Sequence, residues 1–483
     1  MTNVNYEPII GLEIHIQLLT RSKIFCSCSA QFGGVPNTQV CPVCLGMPGV
    51  LPVLNQNVVE YALKLGLATD CEINPRAQFA RKNYFYPDLP KGYQISQFEQ
   101  PFCQNGKIDI EMGDFVRSVR LTRIHAEEDA GKSMHAEAYV GTDETLVDVN
   151  RCGVPLLELV TEPDIRSPEE AAFFLIHLRQ LVRYLGICDG NMEEASLRCD
   201  ANISLRPRGE TGLGTKTELK NMNSFSHVES ALNYEISRQY QMLSSGEKIE
   251  QETRMWNVDR GITESMRSKE FSHDYRYFPD PDLVPVVVDD DWIERVRRDL
   301  PELPLQRKKR FIKEYALPEY DAKILTEDRA IADFFEAVAI KVKDKKAASN
   351  WVMGEVLRCL KEKKCNIDEL RLEADSLVEI IQLIESGTIN SKIAKSVFND
   401  VIESGDSPKK IVKEKGLMQI TDHDAIEKAI DQVLQAHPDE VDAFRGGKDK
   451  LMGFFVGQVM RATDGKANPK SVNVLIRKKL SGS

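Results

Sequence analysis

Two patterns of hydrophobic and polar positions divide the chain near residue 290. Before that point, short runs alternate between hydrophobic and polar residues, which is typical of strands buried on one face. Beyond it, hydrophobic residues recur about every 3.6 positions, which is typical of helices with one buried face. The pattern predicts an α+β region followed by helical domains.

The early strands are expected to direct their polar side chains to a common face. Residues 10–18 set Glu13 and His15 opposite a hydrophobic face. The run that contains Arg198 and Asp200 repeats this arrangement. If these strands pair in one sheet, their polar faces join, because successive side chains of a strand alternate between the two faces.

Two further runs extend this polar face. Lys216, Glu218 and Lys220 alternate with Thr217 and Leu219 and are expected to share one side of a strand. A less regular run is expected to set Glu158 and Glu162 together on one side.

One helix is marked at both ends. Ser167 is the expected N-cap, Pro168 fits the first helical position, and Glu170 completes the pattern of a capping box. Gly186 provides the stop signal after the last hydrophobic residue of the stripe.

The later part of the chain is expected to form short helices separated by glycines. The segments with helical spacing are 333–342, 376–385 and 424–436. Breaks are expected at Gly387, Gly405 and Gly416. The predicted domains are 1–294, 295–405 and 406–483.

The charge of the chain is unevenly distributed. The net charge of −11 argues against a protein that coats nucleic acid without selectivity. Residues 441–483 nevertheless hold nine Lys and Arg against three acidic residues, so this end carries +6 and the rest −17. A basic end suits local contact with phosphate, although a solvated helical end has the same composition.

Four of the eleven cysteines lie close together in the sequence. They are Cys26, Cys28, Cys41 and Cys44. Two such pairs can close on one tetrahedral Zn²⁺ and leave no open coordination position, which predicts a structural zinc site. Four free core thiols are the alternative. The chain shows no hydrophobic run of about 20 residues and no secretory pattern at its start, so we expect a cytoplasmic protein with reduced thiols.

The polar strand faces hold more carboxylates than a surface requires. The candidate metal ligands are Glu13, His15, Glu127, Glu128, Glu158, Asp200 and Glu218, with Asp129 beside them. Carboxylates repel one another unless a cation lies between them, and Mg²⁺ commonly bridges such groups to nucleotide phosphates. Arg198, Lys216 and Lys220 are the candidate phosphate ligands. Ordinary solvated strand faces are the alternative for each strand taken singly.

Several catalytic motifs are absent. The chain has no P-loop, and the glycine-rich residues 209–214 are expected to form a hairpin connection instead. It has no serine nucleophile elbow, so nothing in it resembles an amidase. His125 and His135 are candidate bases, but a lone histidine is more often structural.

Seven segments together resemble the GatB family of the bacterial glutamyl/aspartyl-tRNA amidotransferases. They are GLEIH (11–15), RKNYFYPD (81–88), YQISQ (93–97), EEDAGK (127–132), SLRCDAN (196–202), DYRYFP (274–279) and GFFVGQVM (453–460). The resemblance runs through the chain from end to end.

The resemblance implies a fold for each region. It implies an N-terminal cradle domain with a catalytic fold similar to that of glutamine synthetase, built on a mixed or antiparallel sheet. A helical domain and a YqeY-like helical tail that contacts tRNA would follow.

The resemblance also implies an ATP-dependent reaction. ATP would phosphorylate the side-chain carboxylate of Glu-tRNA(Gln) or Asp-tRNA(Asn), and ammonia would then displace the phosphate. The resemblance places the seven candidate ligands around Mg²⁺ and ATP, with Glu128, His15 and Glu13 as catalytic residues and Lys82 and Tyr84 near the entry of ammonia.

The resemblance implies partner subunits as well. A GatA-type amidase would supply ammonia and a small GatC-type protein would complete a heterotrimer. Two other functions remain open at this point: a tRNA-docking scaffold without catalysis, and a zinc-containing aminoacyl-tRNA synthetase. The chain lacks the His-x-Gly-His and Lys-Met-Ser-Lys-Ser signatures of such synthetases.

Overall fold

A computed structural model of the chain describes residues 5–113, 115–135, 144–268, 274–418, 423–463, 467 and 469–480. The chain divides into two compact units, Met1–Leu303 and Pro304–Ser483. Within the described residues, no helix is long and hydrophobic enough to cross a membrane.

The first unit combines many strands with four helices in its described part. The strands are β1 (Tyr6–Gln17), β2 (Glu72–Ile73), β3 (Arg76–Ala77), β4 (Ala80–Asn83), β5 (Tyr93–Ser96), β6 (Cys103–Met112), β7 (Phe115–Glu128), β8 (Lys132–His135), β9 (Thr145–Asp148), β10 (Pro155–Thr161), β11 (Leu197–Pro207), β12 (Thr217–Lys220), β13 (Glu252–Asn257), β14 (Ile262–Ser268), β15 (Phe278–Pro279) and β16 (Val286–Val287). The helices are α1 (Gln56–Ala68), α2 (Pro168–Tyr184), α3 (Phe225–Ser245) and α4 (Asp290–Asp299).

The described strands form one large sheet and three small ones. The large sheet has the order β14-β13-β12-β11-β1-β10-β7-β6-β2. Its pairs are antiparallel except for β12 and β13, which run parallel. The smaller groups are β15-β4-β5, β16-β3 and β8-β9. The predicted α+β class with a mixed sheet is confirmed.

One face of the large sheet forms the hydrophobic core together with α1, α2 and α3. Ile10, Leu12, Ile14 and Ile16 of β1 are buried in this core, and so is the alternating set of β11 that includes Ala201. The predicted division of these strands into a hydrophobic and a polar face is therefore confirmed. The polar face is left for functional side chains.

Helix α2 begins where the sequence predicts. The Ser167 side chain accepts a hydrogen bond from the Glu170 backbone N–H, and Pro168 occupies the first turn. The Glu170 carboxylate accepts from the backbone N–H of Arg166 at 2.7 Å rather than from that of Ser167. The N-cap is thus formed as predicted, while the reciprocal bond of the capping box moves one residue toward the N-terminus.

Two expectations about the polar face need correction. The register of β10 against β7 shifts between Val160 and Thr161, and Glu162 lies beyond the strand, where it accepts from Thr122 at 2.8 Å. Glu162 therefore does not join Glu158. Lys216 precedes β12 and is exposed, so it does not share the strand face of Glu218. Residues 209–214 lie in the connection between the antiparallel strands β11 and β12, as expected.

The second unit is helical in its described part. Its helices are α5 (Pro304–Tyr315), α6 (Glu319–Leu325), α7 (Arg329–Ala339), α8 (Lys345–Trp351), α9 (Leu357–Lys363), α10 (Ala374–Glu385), α11 (Ser391–Ser404), α12 (Pro408–Glu414), α13 (His423–Ala436), α14 (Pro438–Arg445), α15 (Met452–Ala462) and α16 (Pro469–Leu480). The predicted breaks follow helices, and Gly387, Gly405 and Gly416 all have positive φ angles, which favour glycine.

The second unit contains two separate hydrophobic clusters. One is formed by residues between Phe311 and Val412, and the other by residues between Ile426 and Leu480. The predicted boundary after residue 294 falls inside α4, whose Val296 is buried in the core of the first unit. The predicted boundary after residue 405 precedes α12, which packs in the first of the two helical clusters.

Candidate functional site

The polar face of the large sheet carries its functional side chains in two adjacent rows across the strands. The first row contains His125 of β7, Glu158 of β10, His15 of β1 and Arg198 of β11. The second row contains Arg123, Val160, Glu13 and Asp200, with Lys220 of β12 bonded to Asp200. Both rows exist because β1 pairs antiparallel with β10 on one side and with β11 on the other.

His15, Glu127 and Glu158 form a compact group that can hold a cation. The Nε2 atom of His15 lies 3.4 Å from a carboxylate oxygen of Glu127 and 3.4 Å from one of Glu158. One ligand atom from each residue lies within 4.8 Å of the other two. Ser96 donates a hydrogen bond to the second oxygen of Glu127 at 3.2 Å, which orients that carboxylate.

The protonation of this group follows from burial and from its neighbours. Burial and the charge of Glu158 raise the pKa of Glu127 to about 7. Burial opposes ionisation of Glu158 too, but His125 and His15 hold its pKa well below the usual range. Burial lowers the pKa of His125 to about 4, so this imidazole is neutral at pH 7. The group therefore retains carboxylate charge that a divalent cation can balance.

A second acidic group surrounds Lys220. The Lys220 ammonium is bonded to Asp200 and lies 3.2 Å from Glu218, and Thr253 donates to Glu218 at 2.7 Å. Burial opposes the charge of Lys220, but the two carboxylates raise its pKa above the usual value.

Glu13 lies between the two acidic groups. It accepts a hydrogen bond from Asn202 at 2.8 Å. Burial and the charges of Glu158 and Glu218 raise its pKa.

Glu128 and Asp129 lie at the end of β7 and have partners of their own. Glu128 accepts from the backbone N–H of Ile95 at 2.8 Å and forms a buried ion pair with Lys91. Asp129 accepts from Arg198 at 2.9 Å. These two carboxylates are therefore close to the polar face but are held by basic and backbone donors.

The small sheet β15-β4-β5 brings Lys82 and Tyr84 to the site. Lys82 lies 4.8 Å from the centre of the Tyr275 ring. Its pKa is raised because the charge of Glu127 outweighs the burial that opposes it. Tyr84 donates to the side chain of Gln94 at 3.3 Å. Burial and the charge of Glu127 raise the pKa of Tyr84, so its hydroxyl stays protonated.

The four clustered cysteines come together after β1. Cys26, Cys28, Cys41 and Cys44 each offer a sulfur within 4.8 Å of the others. The Sγ atoms of Cys41 and Cys44 are 3.9 Å apart, close to the separation of about 3.8 Å expected for thiolates bound tetrahedrally to zinc at about 2.3 Å. The residues therefore fit a structural Zn²⁺.

The turn and the charge around the cysteines also suit a metal. Gly46 has a φ of 66°, and a Cβ atom there would lie 2.4 Å from Lys91. The fully buried Lys23 donates to the backbone oxygen of Gln39 at 2.8 Å and lies 3.6 Å from the Cys44 sulfur. A cation at this position offsets the charge of thiolates.

A cavity of about 210 Å³ separates the cysteine group from the end of β7. Its walls include Cys44, Met47, Lys91, Tyr93 and Glu128. The cysteine loop therefore forms one wall of a space that reaches a candidate catalytic carboxylate.

The structure brings together most residues that the sequence singled out. The polar face carries Glu13, His15, Glu127, Glu158, Arg198, Asp200, Glu218 and Lys220, with Glu128, Lys82 and Tyr84 at its edge. Lys216 is the exception.

Sequence reasoning missed several residues of the site. They are Lys91, Ser96, Arg123 and Asn202. His125 was considered only as a lone base and not as a neighbour of the cation group. The alternation of Arg123, His125 and Glu127 along β7 was a usable signal, whereas Lys91 lies in a loop whose position depends on tertiary contacts. The side chain of His135 lies outside the described residues.

Comparison with protein families gives two matches along the chain. Residues 8–294 match the GatB/GatE catalytic domain, and residues 333–480 match the domain described as GatB domain, of the GatB_Yqey model.

Comparison with curated proteins gives relatives that match over nearly their whole length. A protein of Thermodesulfovibrio yellowstonii, named as the B-type component of aspartyl/glutamyl-tRNA(Asn/Gln) amidotransferase, is 58% identical over 98% of this chain and 99% of its own. Proteins of the same name from Syntrophotalea carbinolica and Pelodictyon phaeoclathratiforme are 55% and 57% identical, each over 99% of this chain and over 99% and 100% of their own.

Proposed function

The chain belongs to the GatB family, and on that premise we propose that it is the GatB component of an ATP-dependent, glutamine-hydrolysing tRNA amidotransferase. It would convert Glu-tRNA(Gln), Asp-tRNA(Asn) or both into the amide form. The observation that carries the proposal is the grouping of His15, Glu127 and Glu158 on a polar sheet face with basic side chains beside it.

The reaction needs activation because a carboxylate is a poor electrophile. A side-chain carboxylate oxygen of the aminoacyl-tRNA attacks the terminal phosphorus of ATP, and ADP leaves. The nitrogen of ammonia then attacks the carbonyl carbon of the acyl phosphate, and phosphate leaves with the electron pair of the broken C–O bond. This chain's residues must hold both substrates in line and offset the negative charge of the transition state.

We assign the metal-binding role to the carboxylates of the polar face. Glu127 and Glu158 offer the oxygen ligands that Mg²⁺ prefers, and His15 adds a nitrogen. Glu13, Asp200 and Glu218 are candidates for a second cation, and Glu128 is a candidate for either. When bound, Mg²⁺ neutralises charge on the phosphates.

We assign ATP binding to Arg198, Asp200, Lys216, Glu218 and Lys220. Lys220 would have to exchange part of its contact with Asp200 and Glu218 for a phosphate. Lys216 is exposed just before β12, so it would reach a nucleotide only at the rim of the sheet.

We assign ammonia entry to the surroundings of Lys82 and Tyr84. The chain shows no nucleophile for glutamine hydrolysis, so ammonia would come from a GatA-type amidase, with a small GatC-type protein completing a heterotrimer. Catalytic roles are proposed for Glu13, His15 and Glu128 because they adjoin the cation group and the edge where Lys82 lies.

We propose a structural zinc ion at Cys26, Cys28, Cys41 and Cys44, and tRNA contact by the helical tail. The proposed domains are a cradle over 1–294, a helical domain over 295–405 and a tail over 406–483. A role in tRNA-dependent amidation would place the protein in the cytoplasm, where aminoacyl-tRNA is used.

The test supplies the chain and its co-expressed partner subunits with ATP, Mg²⁺, ammonium and tRNA carrying labelled glutamate, and then aspartate. Labelled Gln-tRNA or Asn-tRNA that requires both ATP and this chain supports the proposal and identifies the substrate. Absence of product from an intact complex contradicts it. Charging of free amino acid onto tRNA would indicate a synthetase instead.

Variants separate catalysis from docking. Glu128→Ala and Asp200→Ala are expected to abolish amidation while leaving tRNA binding intact. Unchanged turnover in both variants would mean that the chain serves as a scaffold and that its partners carry out the chemistry.

A further inference from the structure

Arg123 is a basic residue of the polar face to which no role has been assigned so far. It lies in β7, two residues before His125 and on the same side of the strand. Its cross-strand neighbour in β10 is Val160, which in turn is paired with Glu13 of β1. Arg123 therefore flanks the rows that contain the candidate cation group and the candidate nucleotide ligands.

Arg123 differs from the other arginines in its hydrogen bonding. Four arginines of the described residues have a buried Nε without a partner: Arg117, Arg123, Arg198 and Arg307. Three of these use their terminal nitrogens, since Arg117 donates to the Asp164 backbone, Arg198 to Asp129 and Arg307 to Asp333. Within the described part of the chain, Arg123 makes neither a hydrogen bond nor an ion pair.

The acidic residues near Arg123 are committed elsewhere. Glu158 is held by the two histidines, Glu13 by Asn202, and Glu162 by Thr122. Val160, directly opposite Arg123, is half-buried and shorter than the side chains on either side of it. The row thus has space above Val160, between a guanidinium and a carboxylate.

A half-buried guanidinium without a partner is costly, because burial removes water and no protein acceptor replaces it. Its planar set of donors matches an oxyanion, and phosphate is the oxyanion that the neighbouring cation group also favours. A position of this kind is expected where a ligand completes the hydrogen bonding.

We propose that Arg123 binds the polyphosphate chain of the nucleotide, next to the cation held by His15, Glu127 and Glu158. The inference rests on the proposed function. It adds to that function a phosphate ligand from β7, on the side of the cation group opposite to Arg198 and Lys220.

The experiment measures equilibrium binding of MgATP and of MgADP to the purified complex, together with the KM values for ATP and aminoacyl-tRNA. Arg123→Gln is expected to weaken MgATP binding roughly tenfold and to raise the KM for ATP by a similar factor, as for loss of a charge-assisted hydrogen bond. The KM for aminoacyl-tRNA should stay unchanged. The matched control is Arg120→Gln, an exposed arginine of the same strand that pairs with Asp164.

Arg123→Lys provides a second variant that keeps the charge. It should bind MgATP more weakly than the unaltered protein but more tightly than Arg123→Gln, because lysine lacks the forked donor set. If Arg123→Gln fails to fold, as judged by circular dichroism, the lysine variant decides, and unaltered affinity overturns the proposal.

Other outcomes distinguish this inference from the proposed function. Unchanged MgATP affinity in a folded Arg123→Gln variant overturns the inference, as does a raised KM for aminoacyl-tRNA with unchanged ATP affinity. If the unaltered complex binds MgATP but forms no amide, the proposed function fails while the binding comparison still tests Arg123. If the unaltered complex does not bind MgATP, both fail.

Discussion

Glu158 shows at the scale of single residues how strand alternation and register combine. Its place on the polar face follows from the local sequence. Its contacts with His15 at 3.4 Å and His125 at 3.6 Å follow from the pairing of β10 with β1 and β7. The two imidazoles hold the carboxylate ionised despite its burial.

Glu158→Gln is expected to reduce amidation strongly without unfolding the protein. The change removes the charge but keeps the shape, so turnover should fall by about 100-fold, the size of effect seen when one charge-stabilising group is lost from an active site. The measurement is kcat with saturating ATP and aminoacyl-tRNA.

The control for this prediction is Glu162→Gln. Glu162 lies beyond the register shift and contacts Thr122, so its replacement should leave turnover almost unchanged. Equal losses in the two variants would argue against a cation site at Glu158.

The cysteine group supports a second residue-scale prediction. A hydrogen bond from Cys26, with the charge of Lys23 also contributing, lowers the pKa of the Cys44 thiol to about 4, so a thiolate is available for a metal at neutral pH.

Cys41→Ser should release zinc, because one of four ligands is lost. The bound metal is measured by atomic emission and the melting temperature by calorimetry, and both should fall. Cys365→Ser, in the second unit, is the matched control and should alter neither the zinc content nor the loop around Gly46. A full zinc content in the Cys41 variant would exclude this site.

At the scale of elements, α5 and α7 are joined by a network around Glu336. This carboxylate accepts from Arg310 at 2.5 Å, from Arg307 at 2.8 Å and from Tyr315 at 2.9 Å. Burial opposes its ionisation, but Arg310, Tyr315 and Arg307 together lower its pKa to about 2, from 4.5 in the absence of these contacts.

This shift predicts how stability depends on pH. Because the folded pKa is lower than the unfolded one, the contribution is complete above about pH 4.5 and is lost as the pH falls toward 2. Glu336→Gln should therefore reduce the free energy of unfolding at pH 7 by about 1 kcal/mol, a value discounted for solvent screening of a partly exposed group.

The measurement compares denaturant unfolding at pH 7, 5 and 4. The difference between Glu336→Gln and the unaltered protein should be similar at the two higher pH values and smaller at the lowest. Glu314→Gln, which removes only a surface contact 3.5 Å from Arg310, is the control. A difference that grows as the pH falls would contradict the assignment.

At the scale of the whole molecule, the arrangement of clusters determines where the tail can be removed. A truncation after residue 410 would cut α12, whose Ile411 and Val412 are buried in the first helical cluster. A truncation after Met418 spares that cluster and removes α13 to α16, with the exposed Arg445, Lys448 and Lys450.

The chain ending at Met418 should bind tRNA more weakly but bind MgADP as before. Because counterions are released when basic residues meet phosphates, the slope of log affinity against log salt concentration should also decrease. Filter binding over a range of salt concentrations measures both effects. Unchanged affinity and slope would locate the tRNA contact outside the tail.

The sequence alone determined which side chains share a face, because alternation along a strand and spacing along a helix are local properties. It therefore predicted the polar sides of β1 and β11, the N-cap of α2 and the glycines that end helices. The four cysteines were predicted as a group for a related reason, since short spacings bring two pairs within reach of one ion.

Only the tertiary structure decided which strands are neighbours and in what register, because those contacts join residues far apart in sequence. Register aligned Glu158 with His15 and His125, the shift after Val160 removed Glu162 from the group, and loop packing brought Lys91 to Glu128. It also left Arg123 without a protein partner among the described residues, beside the candidate cation group, a fact that no local pattern contains.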